Sequence, residues 1–225
     1  MPREPGREFI TMFEWSQLAE EYVPARTALA SARDDQARRL LAGDCIFGAQ
    51  TAHWPRSRFM FIVRLDEALE QPRATYDLFL RLSAVRPEEA QREAFLALPA
   101  IVAAGDFELA GQYMPQPLAR LNQLNELAEG EPLLPAPWTA PRLGAELSAF
   151  MADVRLAGAI LDGLGRPEEA ASLRTAALSG IASDELRSLA TQECAMPGTI
   201  VRTLVEHQMK LEAPRPDATD PASPT

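Results

Sequence analysis

Apolar residues recur along most of the chain at spacings of three and four positions, which is the period of a helix with one buried face. The longest series comprises Leu143, Leu147, Phe150, Met151, Val154, Leu161 and Leu164. Shorter series occupy positions 59–69, 76–80 and 118–127. No stretch shows the alternation and β-branched enrichment typical of strands. The pattern predicts an all-α fold of about nine helices.

Residues typical of helix starts stand where these apolar series begin. Pro87 and Pro167 are each followed by two glutamates. A proline at the first helical position loses no hydrogen bond, and acids beside it complement the helix dipole. Ser183 is followed by two acids and predicts an N-cap. These residues place helix starts at all three positions.

Two stretches lack helical character. The segment 130–141 (GEPLLPAPWTAP) contains four prolines and predicts an extended connector. The tail 213–225 has no large apolar residue and is rich in Pro, Asp, Ala, Ser and Thr, so we expect it to be disordered. The remaining chain, 1–212, predicts one helical domain.

A five-residue string occurs twice in the chain. RPEEA stands at 86–90 and again at 166–170, and a Met-Pro pair follows each copy. This repetition favours an internal duplication, with units at 56–130 and 142–212 joined by the proline-rich connector. The alternative is chance, because Pro-Glu-Glu-Ala is a common way to begin a helix.

Two longer phrases suggest a family. AGDFELAGQYM (104–114) and LDGLGRPEEAASL (161–173) resemble the turn and helix start of tetratricopeptide-type repeats. The resemblance covers about a third of the chain, and the Trp-Leu-Gly-Tyr opening of that family is missing. It implies stacked antiparallel helix hairpins, as an α-solenoid or an irregular bundle, with a groove that binds peptides or proteins. No particular binding residue is carried over.

Charge narrows the range of partners. The net charge is −10 and the pI is near 4.8, which disfavours nucleic acid and anionic membranes. The longest uncharged apolar stretch, 94–105, is too short to span a bilayer. The first twelve residues lack the apolar run of a secretory signal, so we expect a cytoplasmic protein. Lys210 is the single lysine, a bias typical of a GC-rich, bacterial gene.

Few side chains suggest chemistry. The two histidines and two cysteines show no spacing typical of a metal site or a catalytic pair, and no glycine-rich phosphate loop follows a strand. The acids Asp34 and Asp35 lie one helical turn before Arg38 and Arg39, which predicts ion pairs on a solvated helix face. The sequence therefore predicts no catalytic residue, metal ligand or cofactor site.

One segment combines aromatic and basic residues. It consists of His53, Trp54, Arg56, Arg58 and Arg64. Arginine forks suit carboxylates and phosphates, and a tryptophan adds a stacking face, so this segment is the candidate site for an acidic partner or ligand.

A structural interpretation of the same segment stays open. Trp54 would then fill the core, and the arginines would pair with Asp66, Glu67 or Glu70. Trp138, in the connector, is a second aromatic that either anchors its loop or meets a partner.

These observations favour a non-catalytic protein-interaction module of the adaptor, chaperone or inhibitor type, which binds a peptide or helix of another protein. The alternative is an all-helical enzyme or small-ligand-binding protein with a central pocket. A homo-oligomer whose apolar helix faces meet each other is a third interpretation.

Overall fold

Helices account for most of the described residues. The computed structural model describes residues 17–19, 21–48, 56–137 and 139–212. Within these ranges the chain forms ten α-helices, nine of them ten residues or longer, and one pair of two-residue strands. The predicted all-α fold of about nine helices is thereby confirmed. None of the helices in the described ranges combines the length and apolar character of a membrane span.

The chain divides into two compact units, and the boundary along the sequence lies between Met114 and Pro115. The first unit contains α1 (Val23–Leu41), β1 (Ile46–Phe47), β2 (Arg56–Ser57), α2 (Arg58–Ala68), α3 (Pro72–Val85), α4 (Pro87–Ala103) and α5 (Phe107–Gln112). The second contains a 3-10 helix (Pro117–Arg120), α6 (Leu121–Gly130), α7 (Arg142–Gly163), α8 (Pro167–Gly180), α9 (Asp184–Ala195) and α10 (Thr199–Glu212).

In the first unit, α3 and α4 form a closely packed hairpin, and α2 packs on both α1 and α3. Phe59 and Phe79 meet edge to face with ring centroids 6.3 Å apart. The buried carboxylate of Asp66 joins three helices, because it accepts from Arg33 at 2.7 Å and from Thr75 at 2.8 Å. Strand β1 pairs antiparallel with β2, with Ile46 opposite Ser57.

In the second unit, α7 is the central helix and contacts α6, α8, α9 and α10. Its buried face is largely the apolar series that the sequence shows, including Leu147, Phe150 and Val154. Asn125 of α6 joins the two ends of the α8–α9 turn, since its amide donates to the Gly180 carbonyl and accepts from the Ala182 amide, both at 2.9 Å.

Both RPEEA strings begin a helix after a short turn. Pro87 opens α4 and Pro167 opens α8, each on the second arm of a hairpin. Ser183 caps α9 as predicted, accepting from the Leu186 amide. The duplication itself stays a prediction. Residues 131–137 and 139–141 are non-helical and lie inside the second unit, whereas Trp138 and the tail 213–225 lie outside the described residues.

Gly43, in the turn after α1, is expected to resist substitution for two reasons. Its φ is +102°, and an added Cβ would stand 2.1 Å from Nη2 of Arg86, whose Nε donates to the Leu41 carbonyl. Gly105 has a φ of +78°, but within the described residues nothing lies within 4 Å of its added Cβ. Gly105→Ala should lower the free energy of unfolding by about 1 kcal/mol, and Gly43→Ala by about 1 kcal/mol more.

Urea denaturation of the full chain measures both losses. Adding Arg86→Ala should bring the cost of Gly43→Ala down to that of Gly105→Ala, because the clash is then gone. If Gly43→Ala lowered the free energy of unfolding equally in the Arg86→Ala variant and in the original chain, Arg86 would have no part in the cost.

Candidate functional site

The structure separates the members of the predicted aromatic and basic segment. His53 and Trp54 lie outside the described residues. Arg56 is half-buried in β2, Arg58 is the first residue of α2 and is buried, and Arg64 is exposed further along that helix. The three arginines therefore do not form one exposed basic surface. A binding role for the other members of the segment stays a prediction.

Arg58 is directed into the first unit and only 1% exposed. Its guanidinium donates to the Asp44 carbonyl at 2.6 Å and pairs with the Asp44 carboxylate at 2.8 Å. It also donates to the Ile46 carbonyl and to the side chain of Gln36. Arg58, and to a lesser degree Arg39, lowers the pKa of Asp44. Arg58 thus binds the segment after α1 to the start of α2. Because its guanidinium is buried in these contacts, it is not placed to bind a partner.

The structural interpretation of the same segment expected its arginines to pair with Asp66, Glu67 or Glu70. The ion pairs of Arg58 and Asp66 join other residues. Arg58 pairs with Asp44, and the buried carboxylate of Asp66 pairs with Arg33. Both arginines pair with acids that are distant in sequence, so no local spacing indicates them. Among the acids of α1, Asp35 pairs with Arg38 at 2.9 Å, as expected for a solvated helix face.

The exposed apolar residues of α10 form the feature most typical of a binding surface. Ile200 is fully buried and Leu204 packs against the core of the second unit. Val201, Val205 and Met209 are 52%, 50% and 66% exposed and recur every four positions, so they lie along one side of the helix. We call these three residues the outer face of α10.

A row of charged side chains runs beside the outer face. Arg202, Glu206 and Lys210 each follow one of its residues and are exposed. Arg202 donates to the Thr199 hydroxyl at 3.0 Å and contacts the Met196 sulfur at 3.2 Å. An apolar stripe with a charged border on one side is the pattern of a helix that packs against another helix.

The carboxylate of Glu193, near the end of α9, fixes the start of α10. It accepts from the amides of Gly198 at 2.8 Å and Ile200 at 3.0 Å, where a helix leaves its N–H groups without internal partners. Arg155 adds an ion pair at 3.3 Å. Burial raises the pKa of Glu193, but the Ile200 and Gly198 amides and Arg155 outweigh it, so its pKa is lowered overall.

Two further contacts hold the inward side of α10. The His207 ring lies 3.0 Å from the Pro135 carbonyl. Gly144 of α7 gives Leu204 its space, because an added Cβ would stand 2.7 Å from the Leu204 methyl groups. The side of α10 that faces the core is therefore defined, and the outer face is the side that no other described residue covers.

Arg58 is expected to be a stabilising residue. Arg58→Leu should lower the free energy of unfolding by about 3–5 kcal/mol, because the Asp44 and Ile46 carbonyls and the Gln36 side chain lose their donor. Arg64→Leu, on the exposed side of the same helix, should change it by less than about 0.5 kcal/mol. Urea denaturation compares the two, and equal losses would refute the role assigned to Arg58.

Glu193 is expected to make α10 sensitive to acid. Because its folded pKa lies below its usual value of 4.5, the stabilisation is complete above that value and is lost as the pH falls through the folded pKa. Glu193→Gln should therefore speed hydrogen exchange of the α10 amides near neutral pH, as expected if the free energy of local opening falls by about 1–3 kcal/mol. The difference in exchange between the variant and the original chain should shrink under acid conditions. The exposed Glu185→Gln of α9 is the control, and a difference independent of pH would contradict this account.

No family model, curated protein or solved structure matches the chain. The resemblance to tetratricopeptide-type repeats accordingly stays a prediction. The function has to be argued from the side chains that the fold brings together.

Proposed function

We propose that the protein is a non-catalytic interaction module whose docking surface is the outer face of α10. The occupant of this surface is α10 of a second copy of the chain, lying antiparallel. The observation that carries the proposal is the row of Val201, Val205 and Met209, half-exposed or more on a helix whose opposite side is already packed.

The outer face provides modest binding energy. Covering a half-exposed valine or methionine contributes on the order of 1 kcal/mol, and two copies contribute three such side chains each. Association itself costs about 4–15 kcal/mol. Six such side chains exceed the low end of this cost by only about 2 kcal/mol, so the complex is weak and reversible and forms at high protein concentration.

The spacing of the apolar row favours a second copy as the occupant, because the row is symmetric about Val205. A two-fold axis at Val205 places Val201 opposite Met209 of the second copy, and it makes the same flank of each helix meet itself. The charged row then brings Arg202 beside both Glu206 and Lys210 of the second copy, and Glu206 beside its own symmetry mate, so the row adds no net attraction and the apolar residues carry the contact.

Val205→Glu should abolish the complex, because the two-fold axis would place two buried carboxylates against each other. Sedimentation equilibrium up to millimolar concentrations should show dimers for the original chain and monomers for the variant. Val85→Glu is the matched control, since Val85 is 60% exposed at the end of α3 and lies outside the outer face. A monomeric original chain at all concentrations would overturn the second copy as occupant, and retained dimers in Val205→Glu would overturn the outer face.

A further inference from the structure

A cleft in the second unit lies away from the outer face of α10. It has a volume of about 100 Å³ and opens among α7, α8 and α9. The residues that line it are Met151, Val154, Arg155, Arg174, Glu193 and Cys194. Met151 and Val154 are buried and form an apolar floor, whereas the two arginines and the thiol are exposed at the mouth.

The acid of this cleft has more hydrogen-bond partners than its two arginines have. Glu193, its only acid, already accepts from two backbone amides and from Arg155, so its negative charge is largely compensated. The ion pair of Arg155 with Glu193 measures 3.3 Å, and that of Arg174 with Asp162 measures 3.6 Å. Both distances exceed the 2.7–2.9 Å typical of a strong charged hydrogen bond. Two guanidinium groups therefore retain donor capacity at the mouth.

We propose that this cleft binds a small organic carboxylate with a short apolar chain. The carboxylate would be held by Arg155 and Arg174, because the planar guanidinium fork matches its two oxygens. The chain would lie on Met151 and Val154. A space of about 100 Å³ holds several water-sized groups, which limits the ligand to a few non-hydrogen atoms.

Cys194 supplies a reporter for this site. Burial raises the pKa of its thiol, while Arg174 acts in the opposite direction, so the thiol is protonated at neutral pH and is assigned no chemical role here. It is exposed beside both arginines. The rate at which it is alkylated in mildly alkaline solution therefore reports on access to the cleft. The other cysteine, Cys45, is in the first unit and is removed as Cys45→Ser.

The experiment compares two alkylating agents of similar size, the anion iodoacetate and the neutral iodoacetamide. Each rate is divided by the rate of the same agent with free glutathione. Cys194 should favour iodoacetate severalfold, and butyrate should slow its alkylation by iodoacetamide while the neutral butyramide should not. Arg174→Gln should remove both effects. Arg166→Gln should retain them, since Arg166 is as exposed as Arg174 and is also paired with an acid, but does not line the cleft.

Three outcomes would overturn the proposal. If Cys194 showed no preference for iodoacetate after division by the glutathione rates, and butyrate gave no protection, no anion site would exist. Equal protection by butyrate and butyramide would indicate an apolar pocket without charge recognition. Protection by inorganic phosphate as strong as that by butyrate would indicate a general anion site without a role for the apolar floor. The circular dichroism of each arginine variant, compared with the original chain, ensures that loss of binding is not loss of folding.

Discussion

The buried carboxylate of Glu193 is the interaction on which both proposed surfaces depend. A charge in this position is unfavourable unless it is fully hydrogen-bonded, and the Gly198 and Ile200 amides and Arg155 meet that requirement. These bonds join the end of α9 to the start of α10 and to Arg155 of α7. Glu193 therefore contacts the first residues of the helix that carries the outer face and one of the two arginines of the cleft.

The first unit uses the same principle with the opposite charge. Arg58 is buried at the start of α2 and draws in the Asp44 carboxylate and the Ile46 carbonyl from the segment after α1. In both units a buried ion satisfies backbone groups where regular structure ends. Such groups are costly to leave unpaired, so a single charged side chain can organise a turn that has few apolar residues of its own.

The helices could be predicted from sequence because their signals are local. The apolar period of α7 and the prolines that open α4 and α8 lie within one or two turns of the structure they specify. The burial of Arg58 could not be predicted in this way, because its partners come from a different part of the chain. The spacing of Val201, Val205 and Met209 is visible in the sequence, but α10 is apolar on two sides. Which side packs inward is decided by Gly144 and the core around Leu204.

Glu193 links the two proposed surfaces, because it lines the cleft beside Arg155 and also caps α10, so the coupling between them depends on how strongly each partner holds it. A carboxylate in the cleft would compete with Glu193 for Arg155, and that ion pair is the longest of the three bonds that Glu193 makes. The two amide bonds are shorter, at 2.8 and 3.0 Å. Because the amides alone still cap α10, occupation of the cleft should loosen the helix only slightly. The proposed pairing of the outer face with a second copy therefore does not depend on whether the cleft is filled.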